Sequence, residues 1–121
     1  TLNIFHIDRF QNKKVRQLSL GMKQQLLLSL YYMSDAKVLL FDEPLNGLDP
    51  TNTQLFNSLI QSFAKRGKTI IMSSHNLGNI AELCTKVAFL HEGKLHETNS
   101  VTKNLQEQYN QLFNSPEVFF Q

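Results

Sequence analysis

Asp42 and Glu43 follow directly on the apolar run Val38-Leu39-Leu40-Phe41 and precede Pro44. Four apolar residues in a row mark a strand buried on both faces, as in a parallel sheet. Open α/β sheets hold their ligands at the C-terminal ends of such strands. Carboxylates there are costly to bury unless a cation or hydrogen bonds compensate them. Asp42 is therefore a candidate Mg²⁺ ligand, and Glu43 a candidate base or water-orienting group for phosphate hydrolysis. The pair alone is also compatible with a strand that ends in solvent at a helix-capping acid. The other motifs decide between the two.

Upstream, Leu18-Ser19-Leu20-Gly21-Met22-Lys23-Gln24 leads into a mostly apolar stretch, residues 26–33, without a helix breaker. Ser19 suits a helix N-cap, its hydroxyl accepting one of the orphan N–H groups. A helix start with free N–H donors and the positive end of the macrodipole is an anion site. Gly21 lets the backbone approach a phosphate closely. Ser followed by Gly also caps many ordinary helices, so the spacing matters. Between Ser19 and Asp42 there is room for one helix, a turn at Ser34-Asp35-Ala36-Lys37 and the buried strand. Downstream, Lys68-Thr69-Ile70-Ile71-Met72-Ser73-Ser74-His75 reads as a second apolar strand that delivers His75 to its C-terminal end. Parallel pairing of the two strands would line Asp42, Glu43 and His75 along one sheet edge. A lone histidine at a strand end is usually structural. After two phosphate motifs in chain order, His75 becomes a catalytic candidate.

In this order the motifs resemble the C-terminal half of an ABC-type ATPase, the nucleotide-binding part of an ABC transporter. Residues 18–24 resemble the signature motif, usually written LSGGQ. Residues 38–43 resemble the Walker B strand with its catalytic glutamate. Leu45-Asn46-Gly47-Leu48-Asp49-Pro50 resembles the D-loop, and His75 the switch histidine. The resemblance runs from about residue 1 to residue 98. Leu20 and Met22 depart from the usual Gly and Gln, and the form LSLGMKQ is similar to that of exporters for peptide antibiotics, lantibiotic immunity and multidrug efflux. Leu45 stands where Thr or Ser is common, which puts side-chain hydrogen bonding in the D-loop in question.

The phosphate loop, Gly-x-x-x-x-Gly-Lys-Ser/Thr, is absent from these residues; the five glycines stand at positions 21, 47, 67, 78 and 93. The expectation is an α/β chain forming the C-terminal part of a P-loop, RecA-like ABC core with an incomplete sheet. Residues 1–34 would end the helical subdomain and carry the signature helix. Residues 35–98 would belong to the catalytic core, and 99–121 to a C-terminal helix and tail. The chain is read as a fragment of a longer ATPase, inactive by itself.

For the intact protein, the resemblance implies ATP and Mg²⁺ as ligands and ATP hydrolysis that powers export through a transmembrane permease. Two nucleotide-binding domains would meet head to tail at the cytoplasmic face of the membrane. Ser19, Leu20, Gly21 and Met22 would meet the partner's ATP, and Asp42 would hold Mg²⁺ through water. Glu43 would activate the attacking water and His75 would position the γ-phosphate. Asn46, Gly47, Leu48 and Asp49 form the D-loop, with Asp49 coupling the two sites. Two other readings share some of these motifs: a soluble ABC ATPase of DNA maintenance or translation, and a non-catalytic remnant. Gly47-Leu48-Asp49 and the LSLGMKQ form favour the exporter.

The remaining elements follow from periodicity. Residues 51–65 are amphipathic, with Leu55, Leu59, Ile60 and Phe63 at helical spacing and Gly67 as a left-handed stop. Residues 77–84 suit a short helix capped by Asn76. Residues 86–91 and 94–97 suit a hairpin around Glu92-Gly93. Ser100 would cap a last helix with Val101, Leu105, Tyr109, Leu112 and Phe113 on one stripe. Charges such as Lys65, Arg66 and Lys68 read as solvated helix ends, and His91 and His96 as solvated histidines. Cys84 reads as a small core residue. The chain has 121 residues, 41% of them apolar, which suits a single domain or part of one. A net charge of +2 is too small to point to nucleic acid, and the single cysteine excludes an internal disulfide. The longest apolar stretch is too short to span a membrane.

Overall fold

The computed structural model describes residues 7–98 and 105–113. They fall into two compact units that part between Ser74 and His75.

In the first unit, single 3₁₀ turns at Ile7–Arg9 and Val15–Gln17 precede helix α1, Leu20–Met33. Strand β1, Val38–Phe41, helix α2, Pro50–Lys65, and strand β2, Thr69–Met72, complete it. Ser19 caps α1 as its chemistry dictates: the hydroxyl accepts from the Met22 N–H at 3.2 Å. Pro50 opens α2, where its missing N–H costs nothing. After Arg66, Gly67 stands at φ +82°, the left-handed stop that favours glycine. The strands pair in parallel, Val38 with Thr69 through Phe41 with Met72. The core is Phe10, Leu18, Leu28, Leu39, Phe41, Phe56, Leu59, Ile60 and Phe63. Tyr31 meets the edge of Phe41 at 5.1 Å and Phe41 that of Phe56 at 5.7 Å between ring centroids, a favoured aromatic geometry. Phe56, absent from the stripe read in the sequence, is almost fully buried while Leu55 is only partly so.

Strand β1 departs from the expectation. Leu39 and Phe41 are buried, but Val38 is 53% and Leu40 66% exposed. A continuous apolar run does not say how many of its faces are covered; here α2 and its neighbours cover one, and Val38, Leu40 and Ile71 form an open apolar face on the other. Lys68 is not merely solvated. Its ammonium donates to the carbonyls of Ser34 at 2.9 Å and Ala36 at 2.6 Å, tying the α1–β1 turn to β2. The Arg66 guanidinium lies 4.2 Å from the centre of the Tyr32 ring, a cation–π contact.

In the second unit, helix α3, Leu77–Leu83, is capped by the Asn76 side chain, which accepts from the Asn79 N–H at 3.2 Å. Strands β3, Val87–His91, and β4, Lys94–Thr98, form an antiparallel hairpin. Glu92 at φ +48° and Gly93 at φ +74° make its two-residue turn, matched to the strand twist. Helix α4, Leu105–Phe113, lays Leu105, Tyr109, Leu112 and Phe113 against Val87 and Phe89. Cys84 packs against this cluster, and burial raises its thiol pKa. His91 lies edge-on to Phe113 with ring centroids 4.5 Å apart, so it is a packed rather than a solvated histidine. The expected cap Ser100 and stripe residue Val101 lie outside the described residues. Among the described residues each sheet has two strands. Among the described residues, no helix is long and apolar enough to cross a membrane.

Candidate functional site

The register of β1 and β2 builds the carboxylate site. Pairing Phe41 with Met72 sets Asp42 beside Ser73, whose N–H extends the ladder to the Phe41 carbonyl at 2.9 Å. The Ser73 hydroxyl donates to Asp42 Oδ1 at 2.5 Å and accepts from the Glu43 N–H at 2.9 Å. One hydroxyl thus holds the Asp42 carboxylate and the Glu43 backbone. Glu43 stands at φ +44°, a left-handed conformation rare for non-glycine residues and concentrated at functional sites. Its carbonyl accepts from the Asn46 N–H at 3.1 Å. The strained turn lets the backbone leave the strand sharply just as the carboxylates emerge.

Leu48 N–H donates to the Leu45 carbonyl at 3.2 Å, so the loop after Pro44 is held by backbone hydrogen bonds. Leu45 needs no hydroxyl for this. Asp49 occupies the N-cap of α2, yet its carboxylate makes no capping bond to the backbone. It accepts instead from the Asn52 amide, whose oxygen accepts from Gln25 Nε2 of α1 at 3.3 Å.

The Leu18–Gln24 segment is anchored by buried Leu18, while Ser19 and Leu20 are exposed and Met22 half-buried. It sits against the Asn46–Asp49 loop at one point and against the first turn of α2 at another. Leu20 Cδ2 lies 2.9 Å from where a Cβ on Gly47 would stand, and Gly47 itself has φ +76°. A Cβ on buried Gly21 would come within 2.6–2.9 Å of the Asn52 side chain. Gly21 therefore has a packing reason beyond phosphate access. Leu20, a departure from the usual motif, fills the space that Gly47 leaves.

The structure joins the Asp42 carboxylate and the Glu43 backbone through Ser73, sets Leu20 against Gly47, and links Asp49 to Gly21 and Gln25 through Asn52; these contacts do not include Asn46 or Leu48. Strand β2 ends at Met72, three residues short of His75, which opens the second unit. Sequence reading missed Ser73 and Asn52. The signal for Ser73 was available: in parallel register the residue after the second strand pairs with the residue after the first. Nothing in the spacing announced Asn52, which follows from how α2 crosses α1. Ser73 engages Oδ1 of the exposed Asp42, so a Mg²⁺ ion would be held from Oδ2. Among the described residues no three metal-ligating side chains gather at one place, and a single carboxylate fits only an ion that keeps most of its waters, as Mg²⁺ does.

Comparison with known proteins bears on the family and the fold. Residues 5–80 match the family model described as an AAA domain, putative AbiEii toxin, type IV TA system. The chain is 38% identical over 111 residues to the lantibiotic transport ATP-binding protein SrtF of Streptococcus pyogenes, covering 90% of this chain and 48% of that protein. It is 42% identical over 97 residues to the bacitracin transport ATP-binding protein BcrA of Bacillus licheniformis, covering 79% of this chain and 32% of that protein. The chain thus spans half or less of these curated relatives. A solved ATP-binding cassette of an ABC transporter, MJ1267, superposes with a TM-score of 0.74 at 19% identity, covering 98% of this chain and 46% of that one. That likeness shows the fold, an ABC ATPase cassette in part. On the matched residues the chain belongs to the AAA-domain family of that model, and its homologues are ABC transporter ATP-binding proteins.

Proposed function

We propose that this chain supplies the signature, Walker B and D-loop part of an ATP-hydrolysing subunit that powers export through a membrane permease. The observation that carries the reading is the Ser73 hydroxyl, which holds the Asp42 carboxylate and the Glu43 backbone at the end of a parallel strand. In this reading residues 1–34 end the helical subdomain, 35–98 belong to the catalytic core and 99–121 form a C-terminal helix and tail. The open face of Val38, Leu40 and Ile71 packs against the half of the cassette that carries the phosphate loop. The names of SrtF and BcrA, transport ATP-binding proteins for a lantibiotic and for bacitracin, support a peptide-antibiotic exporter over a soluble ATPase.

Each ATP is held by the phosphate loop of one subunit and by Ser19 and Gly21 of its partner. Ser19 accepts from Met22, so its own hydroxyl proton remains to be given to a γ-phosphate oxygen. The free N–H groups of the first turn of α1, flanked by Leu20 and Met22, add positive potential there. Asp42 holds Mg²⁺ through water, and the ion neutralises charge on the phosphates. Glu43 takes the proton of the attacking water, His75 positions the γ-phosphate, and Asp49 with Asn46, Gly47 and Leu48 couples the two sites. The subunit works at the cytoplasmic face of the membrane, where hydrolysis and reopening drive the permease.

The test is Glu43→Gln in the full-length protein. The amide fills the same space but is a poor base, so ATP binding persists while turnover falls by about 10² or more. Near-normal steady-state hydrolysis in this variant overturns the assignment.

A further inference from the structure

The Gly21–Asn52 and Leu20–Gly47 contacts meet the Gln25–Asn52–Asp49 hydrogen bonds at one place, the junction of the signature turn with the D-loop. Asn52 has three tasks there. Its amide nitrogen donates to Asp49, its oxygen accepts from Gln25, and its side chain fills the space beside Gly21. To admit a Cβ at residue 21, its side chain has to turn aside and give up the bonds to Asp49 and Gln25. Leu20 closes the second point of contact on Gly47.

We propose that Asn52 is a positioning residue that locks the signature turn to the D-loop within one subunit, so that Ser19 and Asp49 move as one rigid body. Ser19 faces the partner's ATP and Asp49 couples the sites in the function proposed above, and the inference rests on that reading. Engagement of one nucleotide by the signature then displaces the D-loop of the same subunit directly. No conformational relay through the sheet is needed.

The lock and its consequence are tested separately in the full-length protein. Hydrogen exchange reads the lock without any ATPase. Asn52→Ala and Gly21→Ala each speed exchange of the Met22 and Lys23 amides about tenfold, because both free the first turn of α1. Since both changes break one lock, the double variant Gly21→Ala/Asn52→Ala exchanges no faster than either single variant. Asn52→Asp sets a carboxylate against Asp49 and speeds exchange more than Asn52→Ala does. Additive effects in the double variant, or unchanged exchange in Asn52→Ala, overturn the proposal whether or not the protein hydrolyses ATP. Steady-state kinetics then reads the consequence: Asn52→Ala lowers kcat three- to tenfold with KM for Mg-ATP within twofold of wild type. A rise in KM at unchanged kcat refutes the coupling role. An inactive wild-type protein with the exchange pattern intact sinks the ATPase reading and leaves the lock standing.

Discussion

Ser73→Ala removes a single oxygen that makes two contacts. The bond to Asp42 is charge-assisted, a class worth about 1.5–3 kcal/mol, and the bond from the Glu43 N–H is ordinary, about 0.5–1.5 kcal/mol. Asp42 and Ser73 are exposed, so water replaces part of each contact and the lower ends apply. Together they come to about 2 kcal/mol. The Glu43 backbone at φ +44° stores on the order of 1 kcal/mol or more of strain, which the Ser73 contact helps to hold in place. If the whole of the 2 kcal/mol serves the geometry of the transition state, kcat falls about 30-fold. In the full-length ATPase proposed above, nucleotide binding rests mainly on a phosphate loop that the change does not touch, so KM for Mg-ATP stays within about threefold. The assay is steady-state phosphate release by the full-length protein, with thermal unfolding run alongside to exclude loss of fold. Ser73→Thr keeps the hydroxyl and recovers activity to within about threefold of wild type. A Ser73→Ala protein within twofold of wild-type kcat, or a Ser73→Thr protein as weak as Ser73→Ala, refutes the reasoning.

Ser19→Arg places a bulky cation at the start of α1, so the full-length subunit still binds ATP but ATP-driven dimerisation is lost; equal loss of monomer binding in a nucleotide titration shows that Ser19 does not act in trans. Asn57 is buried on α2 with Oδ1 unpartnered among the described residues, a cost of about 1–3 kcal/mol. Asn57→Leu therefore leaves the melting temperature unchanged or raises it by a few degrees, and a clear drop in calorimetry shows that the amide has a partner. The 121-residue chain alone contains no phosphate loop, and Asp42 and Glu43 repel an anion, so isothermal calorimetry with Mg-ATP records no useful affinity; micromolar binding with phosphate release means that the loop is dispensable.

Much of this protein is legible from residue types in order. Ser19 caps α1 because its hydroxyl suits an orphan N–H, and Gly67 and Gly93 take the left-handed conformations that a stop and a hairpin turn require. The apolar runs at residues 38–41 and 69–72 become strands, and Asp42 and Glu43 emerge at the end of the first. These are local decisions, made by the chemistry of one residue or by periodicity over a few.

What the sequence left open depends on which surface meets which. The apolar letters of β1 could not say that Leu40 lies open while Leu39 is buried, because coverage is a property of neighbouring layers. Ser73, read only as one residue of an apolar strand, acquires its place when parallel register sets it beside Asp42. Lys68 looks like a solvated charge until the α1–β1 turn presents two carbonyls to its ammonium. Asn52 and Leu20 join the Asn46–Asp49 loop to the Leu18–Gln24 segment because α2 crosses α1 with the Asn52 side chain beside Gly21. Local chemistry named the acids, the cap and the turns. Packing between distant segments chose the side chains that hold them, since a hydrogen bond across about thirty residues exists only once the chain has folded.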